Sequence, residues 1–329
     1  MDILDRLGLE HPLVQAGLGG GLATADLAAA VSGAGALGTI GIRSPKGLVK
    51  EMQRAHQLAP GKPFAVNLLM PFTLPQHVSA CIAGKPRVVS LFFGFDAAMV
   101  AQFRAAGIFV LHQVGTVGEA RRAFADGADG IIAQGREAGG HLLGIEPALD
   151  FLPKALEVAQ GKPVFVAGGI ATAADVQAAL KAGAAGAAAG TRFLLTDECR
   201  AHPAYKSVVL GATQTIETEL FGLGWPARHR VVPNAATKRW CARDARGPWL
   251  VRKVHQLSTV MSKYMPIDAG ALTTPRQRLW LPLYGPTAPL VGHPPSVLDV
   301  APLYAGETAR SIRSVVPAAE AVRLLTTRS

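Results

Sequence analysis

From Leu13 onward the chain repeats one unit eight times: a short apolar run, a glycine or polar ending, and a stretch with helical spacing. The apolar runs fall at 13–15, 37–40, 64–69, 87–93, 108–113, 130–134, 164–167 and 185–189. Short runs that read apolar throughout suit strands buried on both faces, as in a parallel sheet covered by helices. A parallel eightfold repeat specifies an α/β fold of the TIM (β/α)8 barrel type. The residues just beyond each strand then become the candidates for function, because such barrels carry their sites in those loops.

A competing reading fails on its own fingerprint. Ala16-Gly17-Leu18-Gly19 follows the first strand and precedes a helix capped by Thr24, as a dinucleotide-binding loop would. The third glycine of that fingerprint would fall at Leu22, and the second strand ends in Gly41-Ile42-Arg43, with no acid to hold a ribose. A second helix start, Thr116 with Glu119 three positions on, has the form of a capping box.

The sixth unit carries the most chemistry. Gly130 to Gly144 reads G-I-I-A-Q-G-R-E-A-G-G-H-L-L-G, a buried strand that delivers Gln134 and then, past Gly139 and Gly140, His141. Adjacent glycines permit positive φ and close approach of the backbone to a large flat ligand. His141 is the one nearby side chain that exchanges a proton near neutral pH. Asn67, inside the apolar strand 64–69, requires a partner for its amide, either a ligand or a backbone group. The last two barrel loops, Gly168-Gly169 and Gly190-Thr191, supply the bare amides of a phosphate cradle.

These segments together resemble the FMN-dependent nitronate monooxygenase family. Q-G-x-E-A-G-G-H is present as Gln134 to His141, A-G-G-I as Ala167 to Ile170, G-T-R-F as Gly190 to Phe193, and V-V-S-L-F-F-G from Val88 to Gly94 is similar to the family's V-V-S-F-x-F-G. The related flavin-dependent enoyl-ACP reductases carry a nearly identical histidine segment. The resemblance is close over 11–200 and looser over 300–325. It implies His141 as catalytic base or hydrogen-bond donor, and an FMN site built from Ala16, Gly17, Leu18, Asn67, Gln134, Gly139, Gly140, Gly168, Gly169, Gly190 and Thr191. Two positions depart from the family pattern: Gly17 stands where proline is usual, and Glu307 where glutamine is usual.

The expected organisation is a barrel from 1–200 and 300–329, with a lid or small substrate domain at 201–299. Within that insertion, residues 225–280 hold eleven Lys and Arg against two acids, Asp244 and Asp268. Such an excess suits an anionic small molecule. No nucleic-acid motif accompanies it, so nucleic acid is not expected. No apolar run reaches the roughly 18 residues of a membrane span, and Met1 to Leu7 does not read as a signal peptide, so a cytoplasmic location is expected. Three scattered cysteines and nine histidines in no ligand spacing point to neither disulfides nor metal. A G-x-S-x-G elbow is absent too.

The resemblance implies oxidation of an anionic alkyl nitronate by molecular oxygen. Quinone or enoyl-thioester reduction with NAD(P)H as donor fits the same residues, and so does a flavin-binding barrel without turnover. Monomer and dimer are both compatible with the sequence.

Overall fold

A computed structural model describes residues 3–262 and 267–327. Lys263 of the basic segment, and Met1 and Asp2 of the amino-terminal stretch, lie outside the described residues. Strands occur in chain order as β1 (Leu13–Gln15), β2 (Gly38–Ile40), β3 (Phe64–Leu69), β4 (Val88–Phe92), β5 (Phe109–Val114), β6 (Gly130–Gln134), β7 (Gly140–His141), β8 (Val164–Ala167), β9 (Gly186–Ala189), β10 (Ile216–Thr218) and β11 (His229–Val231).

Eight of them form one parallel sheet in the order β1-β9-β8-β6-β5-β4-β3-β2. A parallel bridge from Val14 to Leu37 joins its two edges, with Gln15 N donating to Leu37 O at 2.9 Å, so the sheet is a closed TIM barrel. Val14, Ala65, Val88, Phe109, Leu111, Ile132, Phe165 and Ala188 cluster within it together with Leu7 and Leu9 of the amino-terminal segment. That filling leaves the ligand space to the loops that follow the strands.

The helices largely fall where the spacing predicts, with different capping. Thr24 makes no side-chain cap; the Glu51 carboxylate, from helix Pro45–Leu58, accepts from Ala25 N at 2.7 Å instead. Thr116 accepts from Glu119 N at 3.2 Å, but the Glu119 carboxylate reaches Gly115 N, one residue short of the expected box. The helix of the third unit is Pro75–Gly84, with Pro75 in its first turn.

The segment after β9 does two things. Helix Pro203–Leu210 packs on the barrel, with Tyr205 OH donating to Tyr304 O at 2.6 Å and Lys206 Nζ to Thr196 O at 2.5 Å. Beyond it, β10 and β11 pair antiparallel, and β11 pairs antiparallel with β7, bringing His229 opposite His141. The insertion is thus hydrogen-bonded to the histidine loop itself. No helix of the described residues is long and apolar enough to cross a membrane.

Candidate active site

His141 and all eleven residues implied as flavin contacts line one cavity of about 510 Å³. They reach it from five barrel strands and the loops that follow them. The cradle loops show the local geometry a phosphate needs: Gly168 and Gly169 have φ of +110° and +74°, where a side chain would be strained. Among the described residues, the amides of Gly168, Gly169 and Gly190 donate to no other backbone group. Bare amides converging at the ends of β8 and β9 fit an anionic phosphate. A flavin mononucleotide has one such group, and the residues present fit it.

Gly17 and Asn67 explain one another. A Cβ at position 17 would lie 2.5 Å from Asn67 Cγ, so glycine here makes room for the asparagine amide. Asn67 Nδ2 donates to Ser90 O at 3.3 Å, a weak bond that leaves Oδ1 for another partner. Glu307 is likewise accounted for, since its carboxylate meets Arg230 at 3.5 Å and Arg310 at 3.0 Å.

The loop carrying His141 is clamped from three sides. Within the barrel, buried Gln134 donates from Nε2 to His141 O at 2.9 Å and accepts at Oε1 from Leu143 N at 2.7 Å. Its amide is engaged by the loop, so it positions His141 at least as much as it faces a ligand. On the outside, Arg228 donates to Gly144 O at 2.6 Å and Arg230 to Arg136 O at 2.9 Å, and both pair with Glu217. Beneath, Glu137 Oε1 accepts from Ala148 N, capping the first turn of helix Ala148–Ala159 from a distance. Gly139 is required by the chain: a Cβ there would fall 2.4 Å from Gly306 N. Gly306 N in turn donates to Thr191 Oγ1 at 2.9 Å, which ties the Tyr304-Ala305-Gly306 turn to a cradle loop.

Around His141 stands an aromatic enclosure. Trp225, from the loop between β10 and β11, stacks on the imidazole at 3.6 Å between ring centroids and 16° between planes. Phe93 meets the Trp225 ring edge-on at 5.0 Å, and Tyr304 lies 5.5 Å from His141. Phe93 sits at φ +61°, an uncommon conformation for a bulky residue that surrounding packing has to sustain. His141 is 8% exposed, and its Nε2 is buried with no partner among the described residues.

Burial, and secondarily the neighbouring His229, hold the His141 pKa well below its ordinary value, so the ring is neutral at physiological pH. His229 is fixed as a neutral tautomer: Nδ1 donates to Ala227 O at 2.9 Å, and Nε2 accepts from Phe221 N at 3.4 Å. Burial pushes its pKa down to about 4, against an ordinary 6.5.

A prediction follows for stability. Below pH 6.5 the unfolded chain binds a proton at His229 that the folded chain refuses until about pH 4. The folded state is therefore most favoured, in this respect, above 6.5 and loses stability as pH falls through that window. Calorimetry should show Tm declining steadily from pH 6.5 to 4, and a flat Tm there would contradict a neutral, buried His229.

Spacing did not identify Trp225, Phe93, Tyr304, His229 or Glu137. Trp225 was visible only as one of several tryptophans in the insertion. Glu137 and Phe93 lie inside the quoted motifs but carried no assigned role. Among the described residues, no group of three or more His, Cys, Asp or Glu is placed to hold a metal ion.

A parallel eight-stranded barrel with glycine cradle loops and a buried histidine defines a class of flavin-dependent TIM-barrel oxidoreductases. The family model described as nitronate monooxygenase matches residues 2–79 and 73–240, and the chain belongs to that family. FabK from Thermotoga maritima superposes with a TM-score of 0.77 at 26% identity, covering 98% of this chain and 94% of that one. A nitroalkane oxidase from Streptomyces ansochromogenes gives 0.76 at 27% identity, with 98% and 96% covered. In sequence, the chain is 35% identical over 200 residues to a (3aS,4S,5R,7aS)-5-hydroxy-7a-methyl-1-oxo-octahydro-1H-indene-4-carboxyl-CoA dehydrogenase of Rhodococcus jostii. That match covers 60% of this chain and 55% of the relative; a second dehydrogenase of the same name, from Mycobacterium tuberculosis, is spanned over 60% of its length.

Proposed function

We propose that this protein is an FMN-dependent enzyme that oxidises a small anionic alkyl nitronate with molecular oxygen. The observation that carries the reading is a buried, neutral His141 on the wall of the cavity bounded by the cradle loops, its Nε2 without a partner among the described residues. The isoalloxazine, when bound, supplies the redox chemistry; the chain supplies position, charge and exclusion of water.

Ala16, Gly17 and Asn67 would border the flavin, with its phosphate at Gly168, Gly169, Gly190 and Thr191. A neutral imidazole with a depressed pKa is a poor base towards a carbon acid and a good neutral donor. His141 is therefore assigned as hydrogen-bond donor to the nitro oxygens of a substrate that arrives already as an anion. A hydrogen bond to an anionic acceptor is charge-assisted and so stronger than one to a neutral group. Trp225 and Phe93 keep the ring oriented and bulk water out of the reacting space. The site is read as working in the cytoplasm, on small molecules and without nucleic acid.

A second reading, reduction of a thioester with NAD(P)H as donor, is favoured by one observation: the cavity extends outward to Arg276 and Arg278, beyond what a small nitronate fills. The 35% identical relative named as a carboxyl-CoA dehydrogenase agrees with it. Anaerobic mixing of the purified yellow protein with propionate 3-nitronate, followed by flavin absorbance, separates the two. Bleaching by the nitronate alone is the expected result. Bleaching by NADH or NADPH and none by the nitronate would overturn the first reading in favour of the second.

A further inference from the structure

Some basic residues of the insertion are ion-paired; of those without a carboxylate within 4.0 Å among the described residues, which include Lys238, Arg239, Arg243 and Lys253, Arg276 and Arg278 are the two that line the cavity. Arg228, Arg230, Arg246 and Arg252 each face a carboxylate, at Glu217, Glu219 or Asp244, and so are neutralised within the fold. Arg276 and Arg278 have no carboxylate within 4.0 Å among the described residues, and each spends one donor on a nearby backbone carbonyl. Both are exposed, and both line the outer part of the cavity.

They stand on a short ribbon that the fold holds firmly. Gln277 turns inward, donating from Nε2 to Val300 O at 3.0 Å and accepting at Oε1 from Gly285 N. Leu279 O accepts from Trp240 Nε1 at 2.9 Å and from Tyr284 OH at 3.1 Å. Leu281 N closes the turn on Arg278 O. With residues 277 and 279 anchored, the side chains of 276, 278 and 280 are left outside, and the last is Trp280, 67% exposed. Leaving an indole in water is costly, and two guanidiniums beside it without counter-charges repel each other.

We propose that the Arg276–Arg278–Trp280 ribbon docks the adenosine diphosphate portion of a diffusible co-reactant whose other end enters the cavity towards His141. A planar guanidinium presents paired donors that match phosphate oxygens, and two of them span a diphosphate. An exposed indole offers a face on which a purine stacks. The ribbon is separate from the glycine cradle at the ends of β8 and β9, so both phosphate groups can be held at once. This inference goes beyond the flavin reading and rests on the second reading above, in which a dinucleotide or an acyl thioester exchanges electrons with the flavin.

The test uses the full-length protein with its flavin bound, and adenosine 5′-diphosphate as the probe. Saturable quenching of tryptophan emission is expected, weakening as salt rises. Arg276→Gln with Arg278→Gln should weaken binding at least about tenfold, while flavin absorbance stays unchanged because neither side chain touches the cradle. Trp280→Leu should weaken binding and abolish the quench. ADP-ribose binding more tightly than 3′-phosphoadenosine 5′-diphosphate would mark a dinucleotide as the co-reactant, and the reverse order coenzyme A; either supports the proposal. A yellow protein that shows no saturation at millimolar nucleotide, or equal affinity in the double variant, overturns it. A colourless protein that still binds the probe through these residues would instead sink the flavin reading and leave the ribbon's role standing.

Discussion

His141→Ala is expected to keep its flavin and lose turnover, with kcat/KM falling about 10²- to 10³-fold, the size of effect seen when a single donor to a developing or bound anion is removed. The reason for separating the two effects lies in the backbone. Gln134 Nε2 bonds the His141 carbonyl, and β7 pairs with β11 through main-chain groups, so truncating the ring leaves the loop in place. The glycine cradle does not involve the side chain at all. His141→Gln then distinguishes the two roles the residue was assigned from sequence. Glutamine can place an amide donor near the site of Nε2 but cannot accept a proton from carbon, so the donor role predicts substantial recovery of nitronate turnover with glutamine. Steady-state kinetics with the nitronate, alongside flavin content from absorbance, decide the matter. Full activity in the alanine variant would remove His141 from the chemistry; loss of flavin would make it a structural residue.

What the sequence could and could not tell follows from the range of the interactions involved. The barrel was legible because each unit is local: an apolar run of three to seven residues, its glycine or polar ending and its helix lie within one short stretch of chain. Every residue implied as a flavin contact stands on the cavity wall for the same reason, since each sits within a strand or shortly beyond one. The aromatic enclosure was not legible, because Trp225 reaches His141 only through the pairing of β11 with β7, across more than 80 positions of chain. The charge count misled in a related way. Glu217 and Glu219 lie just outside the basic window yet face Arg228, Arg230 and Arg246, so part of the apparent anion-attracting surface is spent clamping loops. Capping showed the same limit: Thr24 had the local form of a cap, and a carboxylate from the next helix took the position.

Gln134→Leu is the variant expected to act as strongly as the loss of His141 while leaving the imidazole intact. Gln134 is 3% exposed, and leucine nearly matches its volume, so packing is largely conserved. The hydrogen bonds are not. The substitution leaves the His141 carbonyl and the amides of Leu143 and Gly144 without the partner they now share. Each buried backbone group left unpaired costs about 1–3 kcal/mol. The cheapest relief is for the chain just beyond β7 to shift, since β11 holds Gly140 to Leu142 and Arg228 holds the Gly144 carbonyl, while the amides of Leu143 and Gly144 rely on Gln134. Activity should therefore fall through misplacement of His141, and about 10²-fold is the scale for a reacting group displaced by an ångström. Hydrogen exchange reports the cause directly: the Leu143 and Gly144 amides should lose protection in the variant, while strands β3 to β5, on the other side of the barrel, keep theirs. Gln134→Glu retains the acceptor and loses the donor, so protection at Leu143 should survive better than in the leucine variant. Unchanged kinetics together with unchanged protection at Leu143 would show that the loop is held by its outer clamps alone.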